Sequence, residues 1–378
     1  MKIKASYGQQ GNDNIGSFRY ATTYSIENSN DQVALVPSAL GNKDISWETV
    51  GTFNAGVEFS MFKGRLSGGL EVYSKKTTDM LFYFNLPQSY GFGGYYDNIG
   101  DMTNKGVEFE LRGDIIRTKD LTWSVYGNIA TNKNEITYLP EENKTAECDG
   151  VKGYVSGSYF IGEGESMYTM RMIKYAGVDP ETGVALYWKD VLDSDGNVTG
   201  QETTDNPSYA TYHLCGTAMP DAYGGFGTSV EWKGFDFSAD FSYQLGGQVW
   251  DSDYQNAMSA DVGHAIHVDM LDAWSATNKS SNIPRWQYND AYMASSSDRW
   301  LISSNYLSLN NVTLGYTLPM NLTSKIGISK LRVYVVGDNL WVWSKRQGLD
   351  PRQSISGGAG SSYYSAVRTI SGGVTLTF

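Results

Sequence analysis

Basic charge, cysteine, histidine and long apolar runs are all scarce in this sequence, and each shortage closes a route. Lysine and arginine total 29 against 41 aspartates and glutamates, a formal net charge of −12. That balance leaves no basic footprint for nucleic acid and favours an acidic outer surface. Cys148 and Cys215 are the only cysteines. Two thiols make neither a disulfide framework nor a metal-ligand spacing, and one optional bridge is the most they could form. The three histidines, His213, His264 and His267, stand in no Cys/His or Ser/His/Asp arrangement, so neither an enzyme nor a cofactor is expected. No run approaches the roughly 18 apolar residues of a membrane helix, and mean hydropathy is −0.37. Membrane helices are thereby excluded. The opening MKIKASYGQQ has no apolar stretch behind its lysines, and no secretory leader is read in it.

Glycine and aromatics are plentiful instead: 42 glycines, 27 tyrosines and 13% aromatic residues against 9 prolines. This profile favours strands and turns over helices. Alternation with a period of two recurs along the chain. In TFNAGVEFSM, Phe53, Ala55, Val57, Phe59 and Met61 are set against Thr52, Asn54, Glu58 and Ser60. FDFSADFSYQL sets Phe235, Phe237, Ala239, Phe241, Tyr243 and Leu245 against Asp236, Ser238, Asp240, Ser242 and Gln244. KGVEFELRG and the terminal SGGVTLTF repeat the pattern. Each is a strand with one oily and one wet face. Leu307 and Leu309 fall out of step with Val312, Leu314 and Tyr316, which predicts a bulge or a misplaced boundary.

The links between strands alternate in length. Short ones are expected at 62–65, 117–120, 231–236 and 320–330, and long ones at 9–46, 87–104, 140–222, 249–304 and 344–363. A soluble sandwich has no reason to place every long loop at one end, whereas an outer-membrane barrel has short periplasmic turns and long extracellular loops. The expected fold is therefore all-β, a transmembrane antiparallel barrel wall of roughly ten strands with its oily face to lipid and its wet face to a lumen. Trp47, Tyr83, Phe84, Trp123, Trp232, Tyr316, Trp341 and Trp343 fall near strand ends, where interfacial girdles belong. A small closed barrel is the rival, but the inward positions are mostly Ser, Gly, Asn, Asp and Glu rather than bulky fillers. An open sheet of this size would leave two unpaired edges in hydrocarbon.

Within the loops, Tyr95, Tyr96, Trp250, Trp274, Trp286 and Trp300 are candidate contacts, since rings stack on flat amphipathic ligands while Asp, Asn and Gln bond hydroxyls. Packing within their own loops or at the membrane interface is the competing account. His264 and His267 lie three apart on what reads as a loop helix, but no carboxylate stands at a ligand spacing, and no metal is expected. DSDGNVTGQETTD has Val198 where a calcium loop needs glycine and Thr204 where it needs glutamate, so Asp195-Gly196 reads as a hairpin turn. GVDPETG reads as a turn on Pro180 and Gly183.

Five blocks in order carry a family resemblance: GNKDISWETVGTFNAGVEFSMFKGRLSGGLEVYSKKTTDMLF, NIGDMTNKGVEFELRGDI, AMPDAYGGFGTSVEWKGFDFSADFSYQLGGQVWD, DRWLISSNYLSLNNVTLGYTLP and KLRVYVVGDNLWVWSKRQGLDP. They resemble the SusC/RagA group of TonB-dependent outer-membrane transporters of Bacteroidota, from about Lys2 to Phe378. The resemblance implies that residues 1–378 are the C-terminal portion of a plugged barrel of about 22 strands, with the plug and the TonB-contacting segment outside these residues. It also implies active import of glycans or oligosaccharides, with peptides as the alternative cargo, across the Gram-negative outer membrane. The implied partners are a SusD/RagB-like surface lipoprotein, TonB through the part not present here, the barrel-assembly machinery and outer-membrane lipid. Phe378 would be the terminal aromatic that the assembly machinery recognises; it also reads simply as the last lipid-facing residue of its strand. A passive porin and a soluble β-rich binding module are the competing classes.

Overall fold

The computed structural model describes residues 1–29, 32–259, 263, 265–353, 355–359 and 365–378. Ten strands run through it in sequence order: β1 (Lys2–Asn12), β2 (Glu48–Met61), β3 (Leu66–Thr78), β4 (Asp101–Arg117), β5 (Leu121–Ala130), β6 (Ala222–Trp232), β7 (Phe235–Leu245), β8 (Tyr306–Thr317), β9 (Lys330–Ser344) and β10 (Thr369–Thr377). Each pairs antiparallel with the next, giving one up-and-down sheet. Lys133–Tyr138 adds a short eleventh strand beside the start of β4. Connections 62–65, 118–120, 233–234 and 318–329 lie at one end, and 13–47, 79–100, 131–221, 246–305 and 345–368 at the other. The alternation expected from sequence is therefore present, with shifted boundaries. Asp101–Asn104, expected in a loop, belong to β4: Met102–Asn104 pair with the end of β3, and Lys133–Tyr138 pairs with all four from the other side, a partner that local sequence does not reveal.

The register puts like with like. Ile3, Val57, Leu70, Phe109 and Ile129 stand opposite one another across β1 to β5. Trp123, Val230, Phe237, Leu314 and Val335 do the same from β5 to β9. A slip of one residue would exchange every face, so these rows fix the pairing. On the opposite face Arg112, Tyr126, Gly227, Asp240, Asn311 and Asp338 form a polar row. The predicted bulge lies at Asn310, which the ladder skips; Leu309 and Leu307 then face Phe241 and Tyr243 and rejoin the oily side.

The oily face is uncovered: Phe53 is 47% exposed and Leu314 55%. Trp123, Trp232 and Tyr316 border the short-link end, and Trp47, Trp341 and Trp343 the other. Tyr83 and Phe84 depart from the girdle reading. They lie in a separate hairpin, Leu81–Asn85 with Gly94–Asn98, inside a long connection. β1 and β10 do not pair, so the ten strands do not form a small closed barrel, and both sheet edges remain open.

The buried clusters sit elsewhere. Ile99, Ile136, Leu139, Tyr154 and Ile161 make one; Met258, Met270, Met293 and Trp300 a second; Ile173, Ala185, Tyr187 and Ala210 a third. All these residues come from the long connections, which form a folded head at that end of the wall. It includes a five-stranded sheet of Ala146–Cys148, Val151–Ser156, Tyr159–Gly162, Thr169–Ile173 and Tyr212–Thr217, and a three-stranded one of Tyr175–Val178, Ala185–Leu192 and Val198–Thr204.

Candidate functional site

The wet face of the wall is a concave, charged surface. Lys4 Nζ lies 3.0 Å from Glu58 Oε1 and 2.9 Å from Glu71 Oε2. Glu108, Glu110, Asn128 and Tyr223 continue the same concavity, a groove of about 540 Å³. Arg332 holds Asp236 through two bonds, Nε to Oδ1 at 2.9 Å and Nη2 to Oδ2 at 2.5 Å. Tyr126 donates to Asp240, and Asn311 Nδ2 donates to Asp338 at 2.7 Å. The Lys4 pairs are open to water and contribute little to stability. They lie on the concave side of the sheet. Tyr126 lies over Gly227, and Tyr334 over Gly373, directly opposite on the neighbouring strand; a Cβ at either glycine would collide with the ring. At these two places a glycine lets a flat tyrosine ring lie down against the sheet.

The head is tied together by polar contacts among separate connections. Arg346, from 345–368, grips the buried Asp251 of 246–305 through Nε to Oδ2 at 2.5 Å and Nη2 to Oδ1 at 2.7 Å. Arg352 pairs with Asp350 and donates from Nη1 to Ser308 Oγ at 3.0 Å. Asp298 accepts from the Tyr175 amide at 2.8 Å, and Ile173 bridges Ser297 nearby, joining 131–221 to 246–305. Burial pushes the Asp298 carboxyl above its ordinary value. Arg299, sandwiched between the Tyr175 and Trp300 rings, is pulled down by the same cause. The Tyr254 hydroxyl donates to Asp269 Oδ2 at 2.6 Å; burial, then that bond, lifts it to about 12. Sequence reading missed Arg346 and Asp251, which lie 95 residues apart, and the contact of Arg352 with Ser308, 44 residues apart; such separations leave no local signal.

The six loop aromatics do not form one platform. Tyr95 and Tyr96 pack against Phe84 and Tyr83 in their hairpin, with Arg19 over the Tyr96 ring at 5.1 Å. Trp250 is half-buried and donates to Gln255 Oε1 at 2.7 Å. Trp274 donates to the Pro180 carbonyl at 3.0 Å and lies against Gly183, whose φ of +76° and lack of Cβ its ring requires. Trp300 is 1% exposed and donates to the Ser295 carbonyl at 2.8 Å, so it offers no face to a ligand. Trp286 alone of the four tryptophans is well exposed, at 46%. Phe378 follows β10 and is 87% exposed.

The two cysteines are free. Cys148 donates to the Tyr212 carbonyl and Cys215 to that of Met172. Burial pushes both thiols up, Cys215 to about 11. The loop helix expected around His264 and His267 is not continuous. A short helix spans Ser252–Ala257, and a 3-10 turn spans Val268–Asp272 with His267 as its cap, while His264 lies outside the described residues. Among the described residues no group of three or more His, Cys, Asp and Glu is placed to hold a metal. Asp193 Oδ1 accepts from the amides of Asp195 and Asn197, closing the hairpin turn read in DSDGNVTG. Asp179 does the same for Glu181 and Thr182 in GVDPETG.

A family model described as "TonB dependent receptor-like, beta-barrel" matches residues 1–226. TonB-dependent receptor P3 of Formosa agariphila is 28% identical over the whole chain, which covers 39% of that relative. TonB-dependent receptor SusC of Bacteroides thetaiotaomicron is 27% identical over the whole chain and covered to 37%. Among solved structures, the RagAB peptide transporter superposes with a TM-score of 0.82 at 29% identity, with all of this chain and 40% of that one aligned. The chain thus spans about two fifths of the length of the relatives it matches. With one face greasy, one charged and every long connection at one end, this chain belongs to the TonB-dependent receptor β-barrel family.

Proposed function

We propose that these residues form part of the wall and outer mouth of an active nutrient importer of the SusC/RagA type in the outer membrane of a Bacteroidota-like cell. The observation that carries this is the two-faced sheet: apolar rows on the uncovered side, ionic and amide groups on the concave side, and the folded head at one end only. In this reading the head is extracellular. Ligand is held there beneath a SusD/RagB-like lipoprotein, and a plug supplied by the rest of the protein moves when TonB pulls on it. In this reading Trp286, Tyr95 and Tyr96 are the aromatics that would meet ligand or lid. Oligosaccharide is the cargo class expected first and peptide the second. Phe378, exposed beyond the final strand, would be read by the barrel-assembly machinery, and Phe378→Ala should lower the amount of assembled transporter.

Uptake by the whole transporter, measured in cells with and without a protonophore, tests the reading. Energised import should stop when the inner-membrane gradient collapses. Uptake that continues unchanged would identify a passive pore and overturn it.

A further inference from the structure

The two ends of the wall carry opposite charge. The five long connections together hold 29 acidic and 15 basic residues, whereas the four short ones hold Lys63, Arg65, Lys119, Lys233 and Lys325 against Asp120 alone. An excess of that sign draws anions to the short-link end. At the turn 233–234, between β6 and β7, this end is notched: a concavity of about 650 Å³ is lined by Lys119, Lys233 and Lys330 from three different connections and strand ends. Both turn residues are left-handed, with φ of +46° and +92°, as the tightest hairpin links require. A Cβ on Gly234 would stand 2.6 Å from the Thr317 carbonyl oxygen. Among the described residues none of the three ammonium groups makes an ion pair. Asp236, also in the lining, is held by Arg332, which leaves Asp120 and Glu231 as the other carboxylates there. On the oily side of the same turn, Trp232, Phe235 and Tyr316 stand opposite one another in register. Their rings lie 6.3 Å and 4.4 Å apart and form an aromatic shelf under the lysines.

We propose that this notch binds an anionic phospholipid, its phosphate among Lys119, Lys233 and Lys330 and its glycerol and upper acyl chains on Trp232, Phe235 and Tyr316. A lysine can lay its apolar stem along a ring while its charge reaches the headgroup level, and Lys233 Nζ lies 5.9 Å from the Trp232 ring. Free phosphate would use the ammonium groups and leave the shelf without an occupant. An acidic protein would do the same, because the shelf belongs to the apolar rows and not to the concave face. A phospholipid presents both chemistries in one molecule, stacked in the order in which the notch holds them. The proposal rests on the importer reading for placing this end in the periplasmic leaflet, and it adds the class of lipid found there.

The test is native mass spectrometry of the whole delipidated transporter titrated with phosphatidylglycerol or phosphatidylcholine. The first phosphatidylglycerol should bind about fivefold tighter than phosphatidylcholine. In the combined variant Lys119→Gln, Lys233→Asn, Lys330→Gln that preference should vanish; asparagine tolerates the left-handed turn position, so the hairpin is kept. Lys152→Gln, an exposed lysine of the head, should leave the preference intact. In the unaltered protein, raising ammonium acetate from about 0.1 to about 1 M should shrink it by screening, and inorganic phosphate should not displace the lipid. Equal affinity for the two lipids, a preference that survives the combined variant or high salt, one that is lost with Lys152→Gln, or displacement by inorganic phosphate would each overturn the proposal. Those failures leave energised uptake untouched, whereas protonophore-insensitive uptake defeats the importer reading whatever lipid the notch prefers.

Discussion

The wall and the head obey opposite rules of burial. In the wall the large apolar side chains point away from the protein, as with Ile3 at 73% and Leu314 at 55% exposure, while charges face the interior. In the head the familiar arrangement returns: Phe160, Leu139 and Trp300 are sealed, and the buried Asp251 is paired with Arg346. On the outer-membrane reading proposed above, one chain holds both because its two parts face different solvents. Hydrocarbon accepts the oily rows and would not accept the charged ones, whereas water around the head demands a conventional core. The wall is held by ladder hydrogen bonds between neighbouring strands. The head is held by packing and by contacts between distant loops.

The largest effect expected in the head is from Trp300→Ala, which empties the middle of the Met258, Met270 and Met293 cluster. It should destabilise the head by about 3–5 kcal/mol, read as proteolytic susceptibility or denaturant unfolding of the whole transporter. On the outer-membrane reading, Phe53→Ala in the wall should cost far less, because lipid would fill the space. Equal losses at the two sites would erase the contrast.

A charge should discriminate in the opposite sense. Leu70→Arg, in the middle of an apolar row, should cost about 2–4 kcal/mol in a bilayer. Leu271→Arg in the head, at a position 84% exposed, should stay within about 0.5 kcal/mol. Refolding into lipid vesicles measures the first, and thermal unfolding the second.

A pH dependence should separate the parts more finely. The buried Asp298 carboxyl titrates above its ordinary value, so the folded head retains a proton that the unfolded chain has released. Its stability should therefore fall as pH rises from about 3.9 through the raised value, and level off above it. Asp298→Asn, which can still accept from the Tyr175 amide, should flatten that slope. An unchanged profile would show that the carboxyl is not buried as described. Smallest in effect are the thiols. Native Cys215, with its pKa near 11, should alkylate slowly at pH 8, while the denatured chain should yield both thiols at once. A disulfide under non-reducing conditions would contradict their placement.

Much of the wall was legible because a strand writes its environment every second residue. Phe53 to Met61 and Phe235 to Leu245 announce two faces without help from any other part of the chain, and the slip at Leu309 announced the bulge at Asn310. Local turn chemistry was legible for the same reason, since Asp193 and Asp179 bond amides only a few residues away. The candidate site was less legible. Trp300 reads like any exposed loop tryptophan, and Tyr83 and Phe84 read like the end of a wall strand, because irregular connections impose no period that tells inside from outside.

The sequence alone therefore determined the two faces of the strands and the gathering of the long connections at one end, the first a consequence of short-range alternation and the second of alternating link lengths. Only the tertiary structure decided which loop aromatics are core, that Arg346 reaches Asp251, and that Lys119, Lys233 and Lys330 meet around one notch. These depend on residues brought together across long separations, and neither spacing nor composition encodes which of them meet.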